Sequence, residues 1–307
     1  MFMRHLRAFF LTCATLLAAC GQPAATPSSE ASIVAVPAVS ELVVGPNRLA
    51  LGLIRQNSPV NDPQAKVHLR LYDRADTSAS VKIEQDAAYY GEGLPAGIYV
   101  AYPTFDRAGE WDVVVDTQLS GQSQPTSSRF RVNVLEKNAV PNAGDRAISV
   151  KTPTVADTPL DHLSSGGSQN PALYQISLDA ALASGKPTAV LFATPAYCRT
   201  AMCGPNVKVL GELQQKLGDK INFIHVEVYR YPFDTSFKAL ADAASAAMKA
   251  NRNMTAEEAA AGFSDGMMAW GLQTEPWLFL IGKDGVIKAR YEGGITVEEL
   301  TPALEKL

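Results

Sequence analysis

The chain has 307 residues, a net charge of −4 and a hydrophobic content of 47%. This length favours two domains over one, and the acidic balance argues against nucleic acid as a partner. The four cysteines and four histidines have no zinc-type spacing, and the chain has no phosphate-binding glycine loop.

The first nineteen residues have the pattern of an export signal. Basic residues precede a short apolar run, Ala8 to Ala19, that cannot span a bilayer. The run ends in Leu17-Ala18-Ala19-Cys20, which resembles the lipobox of bacterial lipoproteins. The resemblance implies that residues 1–19 are removed and that lipidated Cys20 anchors the protein to the extracytoplasmic face of the cell membrane. An ordinary signal peptide, with Cys20 incidental, is the alternative.

Three segments of different composition follow. Residues 20–40 are rich in Ala, Pro, Ser and Thr and predict a flexible tether. In residues 41–136 apolar side chains recur at every second position, in six or seven short runs separated by turn formers. This pattern predicts an antiparallel β-sandwich similar to immunoglobulin or fibronectin domains, an architecture that implies no activity by itself. Turn formers dominate residues 137–172 and predict a linker.

Residues 173–307 have a mixed α/β pattern. The predicted order is helix, strand, helix, strand, helices, strand, strand, helix. A continuous apolar run over 188–192 predicts a buried parallel strand. Gly204-Pro205 predicts the start of a helix that ends at Gly218, and Lys283-Asp284-Gly285 predicts a hairpin turn.

The turn after the buried strand carries the candidate chemistry. It holds Cys198 and Cys203, the pair that remains when Cys13 leaves with the signal and Cys20 carries lipid. The N-terminus of a helix stabilises a thiolate and makes the sulfur reactive. In an exported protein such a pair predicts a disulfide, a redox couple or a metal site.

The element order and the turn resemble the thioredoxin fold, most closely membrane-tethered extracytoplasmic proteins of the TlpA-like kind. In that family an aromatic residue precedes the first cysteine, as Tyr197 does here. A proline with a cis peptide bond opens the strand after the central helices, as Pro276 does, and its neighbour, here Glu275, pairs with bound substrate. The resemblance therefore implies that Cys198 and Cys203 are catalytic and that Tyr197, Glu275 and Pro276 bind substrate.

The sequence departs from the family pattern in two respects. The family motif is Cys-x-x-Cys, whereas four residues separate these cysteines. Either Cys198 is the nucleophile and its partner has moved to Cys203, or Cys203-Gly-Pro marks the nucleophile and Asn206 replaces the partner. The position of Cys198 after the strand favours the first alternative. No carboxylate lies in the strand before the motif, where thioredoxins carry a buried acid.

These features lead to three hypotheses. The preferred one is a thiol–disulfide oxidoreductase without a cofactor that acts on the thiols and disulfides of exported proteins. A reductase of this kind needs an electron donor in the membrane. The second is a Sco-like copper chaperone in which Cys198 and Cys203 hold Cu(I), although 262–276 lacks the distal histidine of that family. The third is a binding module with a static disulfide. The direction of electron flow stays open.

Overall fold

The structure is a computed structural model that describes residues 32–307. The expected signal peptide and the lipid-bearing Cys20 lie outside these residues. The described residues pack as one compact unit. No helix among them is both long and apolar enough to span a bilayer.

In the described chain, twelve short strands precede the first α-helix. They are β1 (Val34–Pro37), β2 (Leu42–Val43), β3 (Gly45–Pro46), β4 (Leu49–Arg55), β5 (Ser58–Pro59), β6 (Lys66–Asp73), β7 (Ile83–Asp86), β8 (Ala88–Tyr90), β9 (Ile98–Ala101), β10 (Thr104–Phe105), β11 (Gly109–Gln118) and β12 (Thr126–Leu135).

These strands form a β-sandwich. One sheet has the order β1-β4-β9-β8 with β5 beside β4, the other has the order β2-β12-β11-β6-β7, and β3 pairs with β10. Alternate residues of a strand point to opposite faces, so Leu69 and Leu71 of β6 and Val113 and Val115 of β11 enter one shared core. Trp111 is fully buried there. The period-two pattern therefore predicted this part of the fold.

The first sheet begins earlier than the sequence indicated. Strand β1 lies inside the segment expected to be a tether, and its Val34 pairs with Ile54 of β4. Ile33 and Ala35 are buried in the sandwich core. Their alternation is too short to stand out from the surrounding Ala- and Pro-rich composition, so part of the predicted tether belongs to the sandwich.

The second part of the chain alternates helices and strands around one sheet. Its elements are α1 (Leu178–Ala183), β13 (Thr188–Ala193), α2 (Cys203–Leu217), β14 (Asn222–Glu227), α3 (Phe233–Lys249), α4 (Ala256–Ala260), α5 (Asp265–Trp270), β15 (Trp277–Ile281), β16 (Ile287–Glu292) and α6 (Val297–Leu304). The strand order is β14-β13-β15-β16. Strand β13 is parallel to β14 and antiparallel to β15.

Strand β13 is buried on both faces, which explains its continuous apolar sequence. Leu191 and its alternate neighbours join a core with Leu210 of α2 and Leu300 of α6. Phe192 points the opposite way and joins a second core with Trp270 of α5. This packing fixes β13 at the centre of the sheet, and the chain leaves its carboxyl end directly into the cysteine turn.

The predicted linker is packed along the α/β sheet. The Gly144 amide donates to the Ile287 carbonyl at 2.9 Å, and the Ala147 amide donates to the Gly285 carbonyl at 2.9 Å. Two short 3-10 helices follow, Leu160–His162 and Pro171–Tyr174. These contacts satisfy the backbone of a segment that has little regular structure.

Buried ion pairs join the sandwich to the α/β sheet. Arg48, just before β4, donates to the Glu299 carboxylate of α6 at 2.6 Å and 2.9 Å. The two side chains are only 5% and 1% exposed. Arg48 also donates to the carbonyls of Glu292 and Gly294. A second buried pair joins Arg290 to Glu41 at 2.7 Å, so the interface fixes the two parts in one arrangement.

We expect Arg48→Ala to lower the free energy of unfolding by about 3–5 kcal/mol, because it leaves the Glu299 carboxylate buried without its partner. Urea unfolding measures this loss. The control Arg74→Ala removes an exposed arginine that pairs with Glu110 and Asp112 and should change stability by no more than about 1 kcal/mol. Equal effects of the two variants would contradict the structural role given to Arg48.

Candidate active site

Residues 194–202 form the turn between β13 and α2 and hold the first cysteine. Cys198 and Cys203 are paired as a disulfide with Cα atoms 5.9 Å apart. Cys203 is fully buried, whereas Cys198 is partly exposed. The Cys198 sulfur is therefore the one that a second molecule can approach.

Helix α2 begins one residue earlier than predicted, at Cys203 itself. The first N–H groups of a helix have no partner within it. Here the Cys203 amide donates to Cys198 Sγ at 3.2 Å. The Thr200 hydroxyl lies 3.4 Å from the same sulfur. In the reduced protein these donors and the positive end of the helix dipole stabilise a thiolate on Cys198.

Asn206 ties the cysteine helix to the loop after β16. Its side-chain amide donates to the Gly293 carbonyl at 2.8 Å, and its side-chain oxygen accepts from the Ile295 amide at 3.2 Å. If Cys203 is the nucleophile, Asn206 occupies the position of the second cysteine of the family motif. The structure gives it a structural role, because both ends of its amide satisfy backbone groups.

The Glu275–Pro276 peptide bond is cis, as the resemblance implied. Pro276 is buried, and its carbonyl accepts from the Gly293 amide at 3.0 Å. The Asn206 amide donates to the carbonyl of the same Gly293. Pro276 and helix α2 are therefore both hydrogen-bonded to the loop after β16.

Tyr197 is part of an aromatic cluster on the other side of the turn. Its ring stacks on Phe237 of α3 with centroids 4.9 Å apart and meets Tyr229 edge-on at 5.7 Å. Such aromatic contacts contribute about 0.5–1.5 kcal/mol each beyond the area that they bury. Because Tyr197 directly precedes Cys198, these contacts anchor the cysteine turn to α3. Part of the Tyr197 side chain stays exposed.

Glu227 is a buried acid that the sequence analysis did not identify. It ends β14, opposite Ala193 at the end of β13. Its carboxylate accepts from the amides of Ser165 and Val228 at 2.8 Å and 3.0 Å. The Ser165 hydroxyl in turn accepts from the Ala196 amide at 3.1 Å, so Glu227 supports the cysteine turn through Ser165.

The strand before the cysteines holds no acid, but the neighbouring strand carries this buried one. Burial raises the pKa of Glu227, although the amides of Ser165 and Val228 oppose the shift. The phase of β14 is the sequence signal that could have found it, because Phe223 and Glu227 belong to the same strand face.

Glu275 is the second carboxylate near the turn. Burial raises its pKa to about 7, the positive charge of Arg199 lowers it, and the negative charge of Glu227 raises it. Arg199 directly follows Cys198 in the chain. The charge beside the cysteine turn therefore changes near neutral pH.

His225, inside β14, is a structural histidine with both ring nitrogens hydrogen-bonded. Its Nδ1 lies 2.6 Å from the Tyr174 hydroxyl, and its Nε2 lies 3.0 Å from the Ala193 carbonyl. Burial lowers its pKa to about 4. His225 and Glu227 also line a cavity of about 310 Å³ at the edge of the sheet, where their polar atoms are already hydrogen-bonded within the protein.

Residues 32–307 contain no group of three His, Cys, Asp or Glu side chains arranged for a metal ion. Cys198 and Cys203 would have to hold a soft ion without a third ligand of these types. Thiolates alone suit Cu(I), so the copper alternative depends on these two sulfurs and stays a prediction.

A family model described as a thioredoxin-like domain matches residues 174–307. No curated protein matches the chain. Residues 174–307 therefore form a thioredoxin-like domain. The predicted fold class, an N-terminal antiparallel β-sandwich with a C-terminal thioredoxin-like α/β fold, is confirmed.

The raised pKa of Glu275 predicts a pH-dependent stability. The folded protein keeps the Glu275 proton up to about pH 7, whereas the ordinary value is 4.5. Folding therefore takes up a proton at Glu275 between these values, and the contribution of Glu275 to stability falls as the pH rises across that interval. We expect Glu275→Gln to reduce this fall, as measured by urea midpoints at pH 5 and pH 8.

The pH dependence that remains in Glu275→Gln combines two opposed contributions. The raised pKa of Glu227 lowers stability as the pH rises, whereas the lowered pKa of His225 makes stability rise with pH. The control Glu257→Gln alters an exposed carboxylate of α4 and should keep the parent's pH dependence. A Glu275→Gln variant with the same pH dependence as the parent would refute the buried environment assigned to Glu275.

Asn206→Ala should lower the free energy of unfolding by about 1–3 kcal/mol, because it leaves the buried Ile295 amide without its acceptor. Chemical denaturation gives the value. The control Lys208→Ala changes an exposed residue of the same helix and should stay within about 0.5 kcal/mol of the parent. A neutral Asn206→Ala would show that the loop does not depend on this side chain.

Proposed function

We propose that the thioredoxin-like domain is a membrane-anchored, extracytoplasmic thiol–disulfide oxidoreductase of the TlpA-like kind, acting on exported proteins without a cofactor. One observation supports the activity. Cys198 is partly exposed and its sulfur accepts a hydrogen bond from the first amide of α2, while its partner Cys203 is buried. This arrangement gives one accessible nucleophile and one protected resolving thiol.

The reductive direction illustrates the chemistry. The Cys198 thiolate attacks one sulfur of a substrate disulfide and forms a mixed disulfide, and the other substrate sulfur leaves as a thiolate and takes a proton. The Cys203 thiol loses its proton, and its sulfur attacks Cys198 Sγ. The substrate's second sulfur then leaves as a thiolate and is protonated. Two electrons pass to the substrate, and the Cys198–Cys203 disulfide forms again.

The same steps in reverse oxidise a substrate dithiol and reduce the Cys198–Cys203 disulfide. A reductase must regain two electrons per cycle from a dithiol donor, for which a membrane protein is the simplest source. The surroundings of Cys198 suit either direction, because the Cys203 amide and the helix dipole stabilise its thiolate whether it attacks or leaves.

The location rests on the sequence around Cys20. The short apolar run before Leu17-Ala18-Ala19-Cys20 supports export, and the cysteine at its end supports lipid attachment. In that setting the cysteine pair meets exported proteins, whose thiols are commonly oxidised to disulfides.

Two cysteine variants test the activity. Cys203→Ser should retain attack by Cys198 but lack the resolving thiol, so it should accumulate a mixed disulfide with reduced and denatured ribonuclease that has been activated by dithionitrobenzoate. Cys198→Ser should form no such adduct, because Cys203 is buried. Intact-protein mass spectrometry, with and without dithiothreitol, distinguishes the two.

The parent protein supplies the other readout. We expect it to accelerate the reduction of insulin by dithiothreitol and to have a reduction potential above about −300 mV, the level below which structural disulfides usually lie. A lower potential without turnover would favour a static disulfide. Stoichiometric Cu(I) that is lost in Cys198→Ser, again without turnover, would favour the copper hypothesis.

A further inference from the structure

Side chains of the sandwich and of the cysteine turn meet over Gly294, in the loop between β16 and α6. A Cβ built on Gly294 would lie 3.0 Å from Leu94 Cδ1, 3.3 Å from Met202 Sδ and 3.7 Å from Ile98 Cδ1. Leu94 and Ile98 belong to the sandwich, whereas Met202 belongs to the cysteine turn and directly precedes Cys203. Side chains from both parts of the chain therefore converge above this glycine.

The loop around Gly294 is fixed from both sides. Arg48 of the sandwich donates to the carbonyls of Glu292 at 2.6 Å and Gly294 at 2.8 Å. From the thioredoxin-like domain, Asn206 holds the neighbouring Gly293. The Arg48 side chain is 5% exposed, so this contact lies within the buried interface. The position of Leu94 relative to the turn is consequently set by the fold.

Leu94 and Met202 form an apolar rim. Ile98 is buried, but Leu94 and Met202 are each partly exposed. Exposed residues flank the rim, namely Gly93 and Pro95 beside Leu94 and Ala201 beside Met202. Met202 is joined to the Cys203 amide, which donates to Cys198 Sγ, so the rim lies beside the reacting sulfur.

We propose that the rim formed by Leu94 and Met202 is a specificity-determining part of the exchange site, so that the sandwich contacts the substrate polypeptide. The inference rests on the proposed oxidoreductase function and adds the substrate class. That class is a polypeptide disulfide with an apolar side chain near the reacting cysteine. Burying such a side chain against the rim gains about 25 cal/mol per Å² of apolar surface. A small disulfide such as oxidised glutathione carries no apolar side chain that could be buried against Leu94.

The test compares two substrates on the full-length protein. Leu94→Ser should raise KM several-fold for insulin, a protein disulfide, while kcat changes little. Its rate with oxidised glutathione and its reduction potential should match the parent, because Leu94 lies outside the thiol chemistry. The conservative Leu94→Met should restore the parent KM for insulin.

Val81→Ser is the matched control, since Val81 is an exposed apolar residue of the sandwich outside the group that meets at Gly294; it should leave both substrates unaffected. An unchanged KM for insulin in Leu94→Ser overturns the inference, as does an equal loss with insulin and glutathione. A parent that reacts with neither substrate overturns the proposed function and the inference together, whereas an active parent with an unaffected Leu94→Ser overturns the inference alone.

Discussion

Burial of strand β13 on both faces is the constraint on which the site depends. Its residues fill two separate cores, one with α2 and α6 and the other with α5. A strand held in this way has no freedom to shift by one residue, because a shift would exchange its two faces. The chain therefore leaves β13 at a fixed point, and the turn that follows presents Cys198 outward and Cys203 inward. The difference between the two sulfurs follows from the packing of the strand.

The support of the turn is distributed over three elements that are distant in the chain. In the predicted linker, the Ser165 hydroxyl accepts from the Ala196 amide of the turn. The Glu227 carboxylate of β14 accepts from the Ser165 amide. The Asn206 side chain of α2 accepts from the Ile295 amide in the loop after β16. Buried polar groups of this kind are costly unless each is satisfied. They are satisfied here, so the polar network makes the geometry specific while the apolar cores supply most of the stability.

The sequence was informative wherever one local pattern determined the outcome. Alternation around Leu69 and Val113 predicted the sandwich, and the apolar run at 188–192 predicted the central strand. It was uninformative where the outcome depended on residues from different segments. The phase of β14 indicates that Glu227 is buried, but its place beside the turn depends on which segments the fold brings together. The pairing of Arg48 with Glu299 depends on the fold in the same way.

The buried joint at Arg48 has a consequence for the organisation of the protein. A sandwich tethered by a flexible linker would be a spacer that another module could replace. This one supplies an arginine to the interior of its neighbour and a leucine to the edge of the cysteine turn. The two parts form one structural unit, so an exchange of the sandwich for an unrelated module would leave Glu299 without a counter-ion and uncover one side of the cysteine turn. A substitution on one side of the interface between the sandwich and the thioredoxin-like domain must therefore be matched by a complementary substitution on the other side.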